Sequence, residues 1–210
     1  MIPSLQGFSL IFWDFDGVIK ESVEIKTVAF RQLFSDYGPE IVCKIEAHHR
    51  DNGGLSRFTK FPIYLEWVGE SIDPERLADL DQRFSALVVQ GVINAPWVPG
   101  VESIIRTNPY RQTFVLVSAT PQHELEVILR ALKLESCFEV VYGAPTSKQD
   151  AIYQSLQRYA LAPGCALMIG DALADYEAAL VHQVPFLLRY HETNRNIFTT
   201  YTGASIKDFT

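Results

Sequence analysis

Cysteine is scarce in this chain of 210 residues, and its few copies form no recognisable framework. Cys43, Cys137 and Cys165 are odd in number and far apart, and no Cys-x-x-Cys pair occurs. This pattern argues against a disulfide-stapled secreted fold and against a cysteine-rich zinc site. We expect the three thiols to be small core residues in a reducing compartment.

Basic charge is also in short supply. Lys and Arg total 18 against 25 Asp and Glu, which gives a formal net charge of −7, and no long basic run is present. We therefore expect no nucleic-acid partner, because binding to a phosphate backbone needs a basic surface. An acidic protein that handles an anionic substrate would need a locally positive site or a metal.

Long apolar stretches are missing too. No segment approaches the ~20 apolar residues of a membrane span, and the amino terminus lacks the basic segment and cleavage signature of a signal peptide. We expect a cytoplasmic protein, a monomer or a homodimer, that makes no membrane contact. The length and the hydrophobic share of 48% fit an α/β domain with an insertion, or two small domains.

The most informative segment that is present ends an apolar run on two carboxylates. The run from Phe8 to Trp13 predicts a strand enclosed on both faces, and Asp14, Asp16 and Gly17 follow it directly. Side chains at this end of a strand lie where open α/β sheets bind ligands. Two carboxylates there could hold Mg²⁺, or act as a nucleophile and an acid/base. The alternative is a polar strand end with an ordinary Asp-Gly turn.

The rest of the chain shows two different patterns of apolar residues. Residues 20–95 show helical spacing throughout, with a start signal at Asp73-Pro74, a polar loop from His48 to Gly54, and a kink expected at Pro62. From residue 96 onward, short apolar strands alternate with helices, which predicts βαβ units and a parallel sheet. The predicted strands are 113–117, 138–142, 166–169 and 185–188. The sequence thus predicts an α/β fold with a helical insertion after its first strand.

Three polar groups follow later strands of this sheet. Ser118-Ala119-Thr120 could bind an anion through a hydroxyl and backbone N–H groups, or could only cap a helix. Lys148 enters a helix, where a lysine is usually solvated. Asp171 and Asp175 begin another helix, where acidic residues suit the macrodipole. Each group has a structural explanation by itself, but their placement at successive strand ends favours one shared site.

This ordered set resembles the haloacid dehalogenase superfamily over nearly the whole chain. The four motifs are DFDGV, SAT, the lysine of SKQDAI, and GDALAD. The resemblance, within the phosphoglycolate phosphatase and β-phosphoglucomutase-like subfamily, implies a Rossmann-like parallel sheet core formed by residues 1–19 and 96–210. It also implies that residues 20–95 are an inserted all-helical cap domain.

The same resemblance implies catalytic roles. Asp14 would be the nucleophile that forms an aspartyl phosphate, and Asp16 would be the general acid and base. Ser118 and the N–H group of Ala119 would hold the phosphoryl oxygens, while Lys148 would neutralise Asp14 and the phosphate.

Magnesium is the implied cofactor. Asp14, the carbonyl group of Asp16 and Asp171 would bind it, and Asp175 would orient the lysine or a metal-bound water. Ala172 departs from the Ser or Thr often found at its position, which removes a possible support of the metal site. Glu21-Ser22 also departs from the Asp-Ser that is common at this position in the superfamily.

Cap residues supply the contacts to the leaving group in this superfamily. The candidates here are His49, Arg50, Arg57 and Lys60, together with His48 and Asn52 around Gly53-Gly54. The segment Gly-Leu-Ser-Arg is similar to a cap stretch of hexose-phosphate mutases, where an arginine meets a second anionic group. The alternative is a helix and loop whose charges are merely solvated.

Asp16 favours phosphatase or phosphomutase chemistry, because dehalogenating relatives lack a carboxylate at this position. We expect a magnesium-dependent phosphatase for a small phosphorylated metabolite, such as phosphoglycolate or a sugar phosphate. A sugar phosphomutase with the same core is the closest alternative. A receiver-like domain, a metal-binding Asp-x-Asp glycosyltransferase and a non-catalytic phosphate-binding relative are alternatives of other classes.

Overall fold

A six-stranded parallel sheet forms the centre of the structure, a computed structural model that describes residues 5–210. The strand order is β3-β2-β1-β4-β5-β6, which is the order of a doubly wound fold and confirms the predicted fold class. The strands are β1 (Leu10–Trp13), β2 (Thr113–Pro121), β3 (Val140–Ala144), β4 (Ala166–Gly170), β5 (Phe186–Arg189) and β6 (Ser205–Ile206).

Helices follow most of the strands and fill the segment after β1. The α-helices are α1 (Val23–Leu33), α2 (Pro39–Asp51), α3 (Arg57–Val68), α4 (Pro74–Asn94), α5 (Val101–Thr107), α6 (Gln122–Leu132), α7 (Lys148–Arg158) and α8 (Leu173–Val181). No helix within residues 5–210 has both the length and the apolar character needed to cross a membrane.

The first strand is buried on both faces. Ile11 and Trp13 pack into one core cluster, and Leu10 and Phe12 pack into the other. This division follows from the alternation of side chains along a strand. Because apolar layers cover both faces, β1 is a continuous apolar run with polar residues only at its end. That end faces the crevice between β1 and β4, where the strand order reverses and where doubly wound sheets bind ligands.

Helices α1 to α4, which we call the cap helices, pack around a cluster of aromatic rings. The Phe30 ring lies 4.4 Å from that of Phe84, and it also contacts Phe61 and Tyr64. The chain leaves and returns to the sheet side by side, since Glu21 N donates to Pro96 O and Val98 N to Ile19 O. The cap helices therefore join the sheet through two adjacent connections.

Several local expectations are wrong. The loop predicted from His48 begins only at Asn52, because α2 continues to Asp51. Pro62, where we expected α3 to kink or to be shortened, does not shorten it, since the helix continues to Val68. Buried Phe61, Tyr64 and Leu65 flank this proline, and their packing offsets the one backbone hydrogen bond that it removes. The thiols are not core residues, since Cys43 and Cys165 are exposed and Cys137 is only partly buried.

Candidate active site

Asp14 lies at the carboxyl end of β1, buried and tied to the neighbouring strand. Its N–H group donates to Ile169 O at 3.0 Å. The next turn depends on Gly17, which has a φ of +78° and whose ideal Cβ would lie 2.2 Å from Asp171 Oδ2. A side chain at this position would displace that carboxylate. The glycine of the first motif thus lets the first and fourth motifs meet.

Lys148 connects three of the predicted site residues. Its Nζ lies 3.0 Å from Asp14 Oδ1 and also donates to Asp175 Oδ1, and all three side chains are buried. Burial alone would lower the pKa of Lys148, but the charges of Asp14 and Asp175 outweigh it and hold the pKa above its usual value. Lys148 is therefore a fixed cation beside Asp14, and not a solvated helix charge.

Asp175 is held in place by the turn that follows β4. Its Oδ2 accepts a hydrogen bond of 3.1 Å from Ala172 N. An ideal Cβ on Gly170 would lie 2.3 Å from the Cβ of Asp175. Only glycine at position 170 leaves room for this close packing. Asp175 thus closes the first turn of α8 and orients Lys148 at the same time.

Three carboxylates, those of Asp14, Asp171 and Asp175, offer oxygens that lie within 4.8 Å of one another. Burial raises the pKa of Asp14 to about 7, and the charge of Asp175 adds to the effect. Burial also raises the pKa values of Asp171 and Asp175. The residues nearby therefore leave part of the buried negative charge uncompensated.

This excess of carboxylate charge fits the expected cofactor. Mg²⁺ prefers oxygen ligands and is bound through one or two carboxylates with waters and phosphate oxygens. Asp14 and Asp171 offer such oxygens, whereas both oxygens of Asp175 are engaged by Lys148 and Ala172. The residues present thus suit a magnesium site at Asp14 and Asp171.

Asp16 lies beside this cluster with a hydrogen-bond shell of its own. Ser22 Oγ donates to Oδ1 at 2.6 Å, Thr120 Oγ1 lies 3.2 Å from Oδ2, and Lys26 forms an ion pair with Oδ2. Burial would raise the pKa of Asp16, but the Lys26 charge and these hydrogen bonds outweigh it and lower the pKa below its usual value. Asp16 therefore has a different protonation environment from Asp14, although only one residue separates them.

Ser118 and Ala119 lie near the end of β2, which pairs in parallel with β1. Ser118 is buried, and its Oγ accepts a hydrogen bond of 3.1 Å from Thr120 N. It does not cap α6, because β2 continues through Pro121 and the helix begins at Gln122. The capping explanation of this motif is therefore wrong. Ala119 lines the cavity together with Thr120.

His191 and Asn194 are site residues that the sequence interpretation missed. His191 Nε2 lies 2.8 Å from Asp171 Oδ2, and Asn194 Nδ2 donates to Asp171 O at 2.9 Å. Both follow β5 in an irregular segment, where a single His carries no recognisable pattern. Lys26 was missed as well, although it follows Ser22, the residue that precedes α1, by four residues.

Four of the six cap candidates line the same cavity as Asp14, namely His49, Arg50, Arg57 and Lys60. His48 does not, since it contacts Tyr64 and Trp67 within the cap, and Asn52 bonds to His48 O. Arg50 is exposed, and its guanidinium lies 3.3 Å from Glu24.

Arg57 and Lys60 lie three residues apart on α3 in different surroundings. The Arg57 guanidinium contacts Asp81 at 2.5 Å, Ser85 at 2.9 Å and Glu124 at 3.0 Å. The Lys60 ammonium lies 2.8 Å from His49 Nδ1. Glu124, on α6, is a further residue that sequence reasoning missed. Arg57 is thus neutralised by acidic side chains, whereas the neighbour of Lys60 is an imidazole.

Comparison with known proteins gives both a family and a fold. The family model of haloacid dehalogenase-like hydrolases matches residues 11–188. Protein CbbY of Rhodobacter capsulatus is 25% identical over 187 residues, which cover 81% of this chain and 80% of that protein.

Two solved structures share the fold at low sequence identity. One is a predicted phosphoglycolate phosphatase from Haemophilus somnus, with a TM-score of 0.75, 16% identity, and coverage of 98% of this chain and 96% of that one. The other is a β-phosphoglucomutase from Clostridium difficile, with a TM-score of 0.75, 18% identity, and coverage of 96% and 92%.

Proposed function

Because the chain belongs to the haloacid dehalogenase-like hydrolase family and is a hydrolase, we propose that it is a magnesium-dependent phosphatase. Its substrate is a small phosphorylated metabolite such as phosphoglycolate or a sugar phosphate, and its compartment is the cytoplasm. The observation that carries the proposal is the buried pair of Asp14 and Lys148, 3.0 Å apart, with Asp16 and Asp171 beside it in one cavity. The three unbridged cysteines suit a reducing compartment.

In the first step an oxygen of Asp14 attacks the phosphorus of the substrate. The bond between phosphorus and the leaving oxygen breaks, and Asp16 gives that oxygen a proton, which it must first have taken up against the lowered pKa that Lys26 and the hydrogen-bond partners impose. Lys148 offsets the charge of Asp14 and of the phosphoryl group, so that the two anions can approach. The product of this step is a phosphoryl group on Asp14 and a free alcohol.

In the second step water attacks the phosphorus of the aspartyl phosphate. Asp16 takes a proton from the water, the bond between phosphorus and the Asp14 oxygen breaks, and inorganic phosphate leaves. Ser22, Lys26 and Thr120 hold the Asp16 carboxylate for this second step. Their hydrogen bonds suit the anionic form, which is the base that this step requires.

The phosphoryl oxygens need donors and positive charge around them. Ser118 Oγ and the N–H group of Ala119 supply hydrogen bonds, and Lys148 supplies charge. Asp14, Asp171 and the carbonyl group of Asp16 would hold magnesium, which would offset the charge on the phosphoryl oxygens. Asp175 keeps the lysine at its position between the two steps.

A sugar phosphomutase is the second candidate. The structural likeness to a β-phosphoglucomutase favours it as a variant of the same chemistry. In a mutase, a sugar hydroxyl attacks the aspartyl phosphate in place of water. Labelled hexose 1-phosphate distinguishes the two: a phosphatase releases one phosphate per sugar, and a mutase forms the 6-phosphate with little free phosphate.

An aryl phosphate assay tests the phosphatase. We expect slow release of phosphate with Mg²⁺ present, none in excess EDTA, and none from Asp14→Asn. Asp36→Asn, at an exposed aspartate outside the cavity, is the matched control and should retain activity. Full turnover by Asp14→Asn would contradict the role of Asp14. The absence of turnover by the unmodified protein with every phosphorylated metabolite tried would favour a non-catalytic phosphate-binding protein.

A further inference from the structure

Lys26 connects the cap helices to the sheet at two points. It lies on α1, and its ammonium group forms an ion pair with Asp16 Oδ2 and donates to Thr120 Oγ1 at 2.9 Å. Asp16 follows β1, whereas Thr120 lies near the end of β2. The side chains of Lys26 and Asp16 are only 17% and 15% exposed, so water and salt screen their charges weakly. Contacts with two strand ends thus hold this ammonium group beside Asp16.

The two lysines of the cavity neutralise different carboxylates. Lys148 contacts Asp14 and Asp175. The only carboxylate within ion-pair distance of Lys26 among residues 5–210 is that of Asp16, and Asp16 has no second ion-pair partner in the same range. Without Lys26, Asp16 would keep only hydroxyl groups as partners. Lys148 therefore serves the proposed nucleophile, and Lys26 serves the proposed acid and base.

The two oxygens of Asp16 differ in how many donors they receive. Each oxygen of an ionised carboxylate can accept about two hydrogen bonds. Oδ2 receives the Lys26 ammonium and the Thr120 hydroxyl, which lies at 3.2 Å. The only side-chain donor to Oδ1 among the described residues is the Ser22 hydroxyl, at 2.6 Å. Oδ2 is therefore fully engaged, whereas Oδ1 keeps one site for a further partner.

The direction of the Thr120 hydroxyl depends on Lys26. A hydroxyl group has a single proton to donate and can also accept hydrogen bonds. Because Lys26 donates to Thr120 Oγ1, the hydroxyl proton is left for Asp16 Oδ2. Lys26 thus supplies one hydrogen bond to Oδ2 itself and secures the second through Thr120. Removal of the ammonium group would loosen both.

We propose that Lys26 is a positioning residue: it fixes Asp16 through Oδ2, so that Oδ1 exchanges the proton in both steps of the reaction. This inference rests on the proposed function, because it takes Asp16 as the acid and the base. In the first step Oδ1 gives its proton to the leaving oxygen. In the second step Oδ1 takes a proton from water, while the water oxygen bonds to phosphorus and the bond between phosphorus and the Asp14 oxygen breaks.

A substrate with a good leaving group separates the two steps. The 4-nitrophenolate anion is stable without a proton, so the first step with 4-nitrophenyl phosphate needs little help from an acid. The attack of water on the aspartyl phosphate still needs a well-placed base. Loss of Lys26 should therefore slow the second step much more than the first, and the phosphoryl group should accumulate on Asp14.

The test is rapid-mixing kinetics with 4-nitrophenyl phosphate and Mg²⁺. The proteins are the unmodified chain, Lys26→Met, and Lys44→Met as a control at an exposed cap lysine that lies over Trp67. We expect Lys26→Met to show a burst of 4-nitrophenolate close to the enzyme concentration, and then a steady-state rate about a hundredfold below that of the unmodified protein. Mass spectrometry of the quenched proteins should find the phosphoryl group on Asp14 in most of Lys26→Met and in little of the other two.

Two conservative variants test the same oxygen by other means. Lys26→Arg keeps the charge and the donors, and it should recover part of the steady-state rate. Thr120→Val keeps the shape of the side chain and removes one donor to Asp16 Oδ2, so it should show the same burst with a smaller loss in the steady-state rate. Melting temperatures check that each variant folds. If Lys26→Met does not fold, Thr120→Val decides the question.

The outcomes separate this inference from the proposed function. Equal losses in the burst rate and in the steady-state rate, with no phosphoryl group found on Asp14, would mean that Lys26 only supports the structure. An unchanged steady-state rate in Lys26→Met would also overturn the inference, and in both cases turnover by the unmodified protein would leave the phosphatase intact. No phosphate release from any substrate by the unmodified protein would overturn the proposed function, and this inference with it.

Discussion

Arg57 on α3 and Glu124 on α6 form a buried ion pair, with Arg57 Nη1 3.0 Å from Glu124 Oε2. The pair joins a cap helix to a helix that packs on the sheet. It is a contact in addition to the two chain connections near residues 20 and 97. Asp81 and Ser85 on α4 contact the same guanidinium. One side chain thus holds two cap helices against the core.

Removal of Glu124 should destabilise the protein. Glu124→Ala leaves a buried guanidinium with only Asp81 to neutralise it, and such a loss typically costs several kcal/mol. We expect the free energy of unfolding in urea to fall by about 3 kcal/mol. Glu126→Ala, two residues further along α6, is the control, because Glu126 accepts a hydrogen bond from Gln122 at the surface.

A double-mutant cycle measures the pair itself. Arg57→Met combined with Glu124→Met should lose much less stability than the sum of the single changes, since neither unpaired charge remains. Additive losses would mean that the two residues stabilise the protein independently, and that their contact does not hold the cap helices.

The cap loop contains a second contact with the core, at Gly54. An ideal Cβ on Gly54 would lie 2.7 Å from Ala174 Cβ, whereas one on Gly53 would lie 4.0 Å from Ala172 Cβ. Gly54→Ala should therefore keep this loop away from the turn after β4 and lower kcat/KM for a small phosphate ester by about tenfold, because closure of a lid excludes water and completes the site. Gly53→Ala should have little effect.

The measurement is steady-state kinetics of both glycine variants. Their melting temperatures are measured as well, to check that both variants fold. Neither glycine has a positive φ, so alanine strains neither backbone and both variants should fold. Equal activity of the two variants would show that the approach of the loop to Ala174 is irrelevant to turnover.

The strand ends could be predicted from the sequence because they depend on local patterns. Asp14, Ser118, Lys148 and Asp171 each follow a short apolar run, and parallel strands bring such ends to one edge of a sheet. Their order along the chain carried the resemblance to a family. The two-residue strand β6 has too few residues to show a pattern.

The contacts between distant segments could not be predicted in the same way. Arg57 reads as a free cation beside a glycine-rich loop, but its partner Glu124 is 67 residues away. His191 reaches Asp171 from an irregular segment. Such pairs follow from packing of whole elements, which a local pattern does not encode. Local patterns therefore predict which residues lie at one edge of the sheet and leave the partner of each charge undetermined.

His191 should support the metal site through Asp171. Its Nε2 lies 2.8 Å from Asp171 Oδ2, so it fixes the orientation of a carboxylate that is suited to Mg²⁺. Loss of such a supporting partner typically weakens metal binding by about ten- to a hundredfold. Calorimetric titration of Mg²⁺ into His191→Phe should show a loss in this range, and His123→Asn, at an exposed histidine of α6, should bind as the unmodified protein does. Unchanged affinity in His191→Phe would contradict this role.

Lys60 should lower the stability of the protein without ligand, and the effect should depend on pH. The pKa of Lys60 is about 7 in the folded protein and close to its ordinary value, ~10.4, when unfolded. Between these values the unfolded state binds more protons, so the contribution of Lys60 makes the free energy of unfolding rise with pH. Below pH 7 the penalty is complete.

Lys60→Met removes this penalty and keeps the apolar stem. We expect the free energy of unfolding in urea at pH 7 to rise by an amount on the order of 2–4 kcal/mol. The gain should shrink between pH 7 and pH 9, because the folded lysine is then increasingly neutral in the unmodified protein. Lys44→Met should change stability little at either pH. A gain that stayed constant with pH would show that packing of the methionine stabilises the variant, and that the buried charge of Lys60 does not account for the difference.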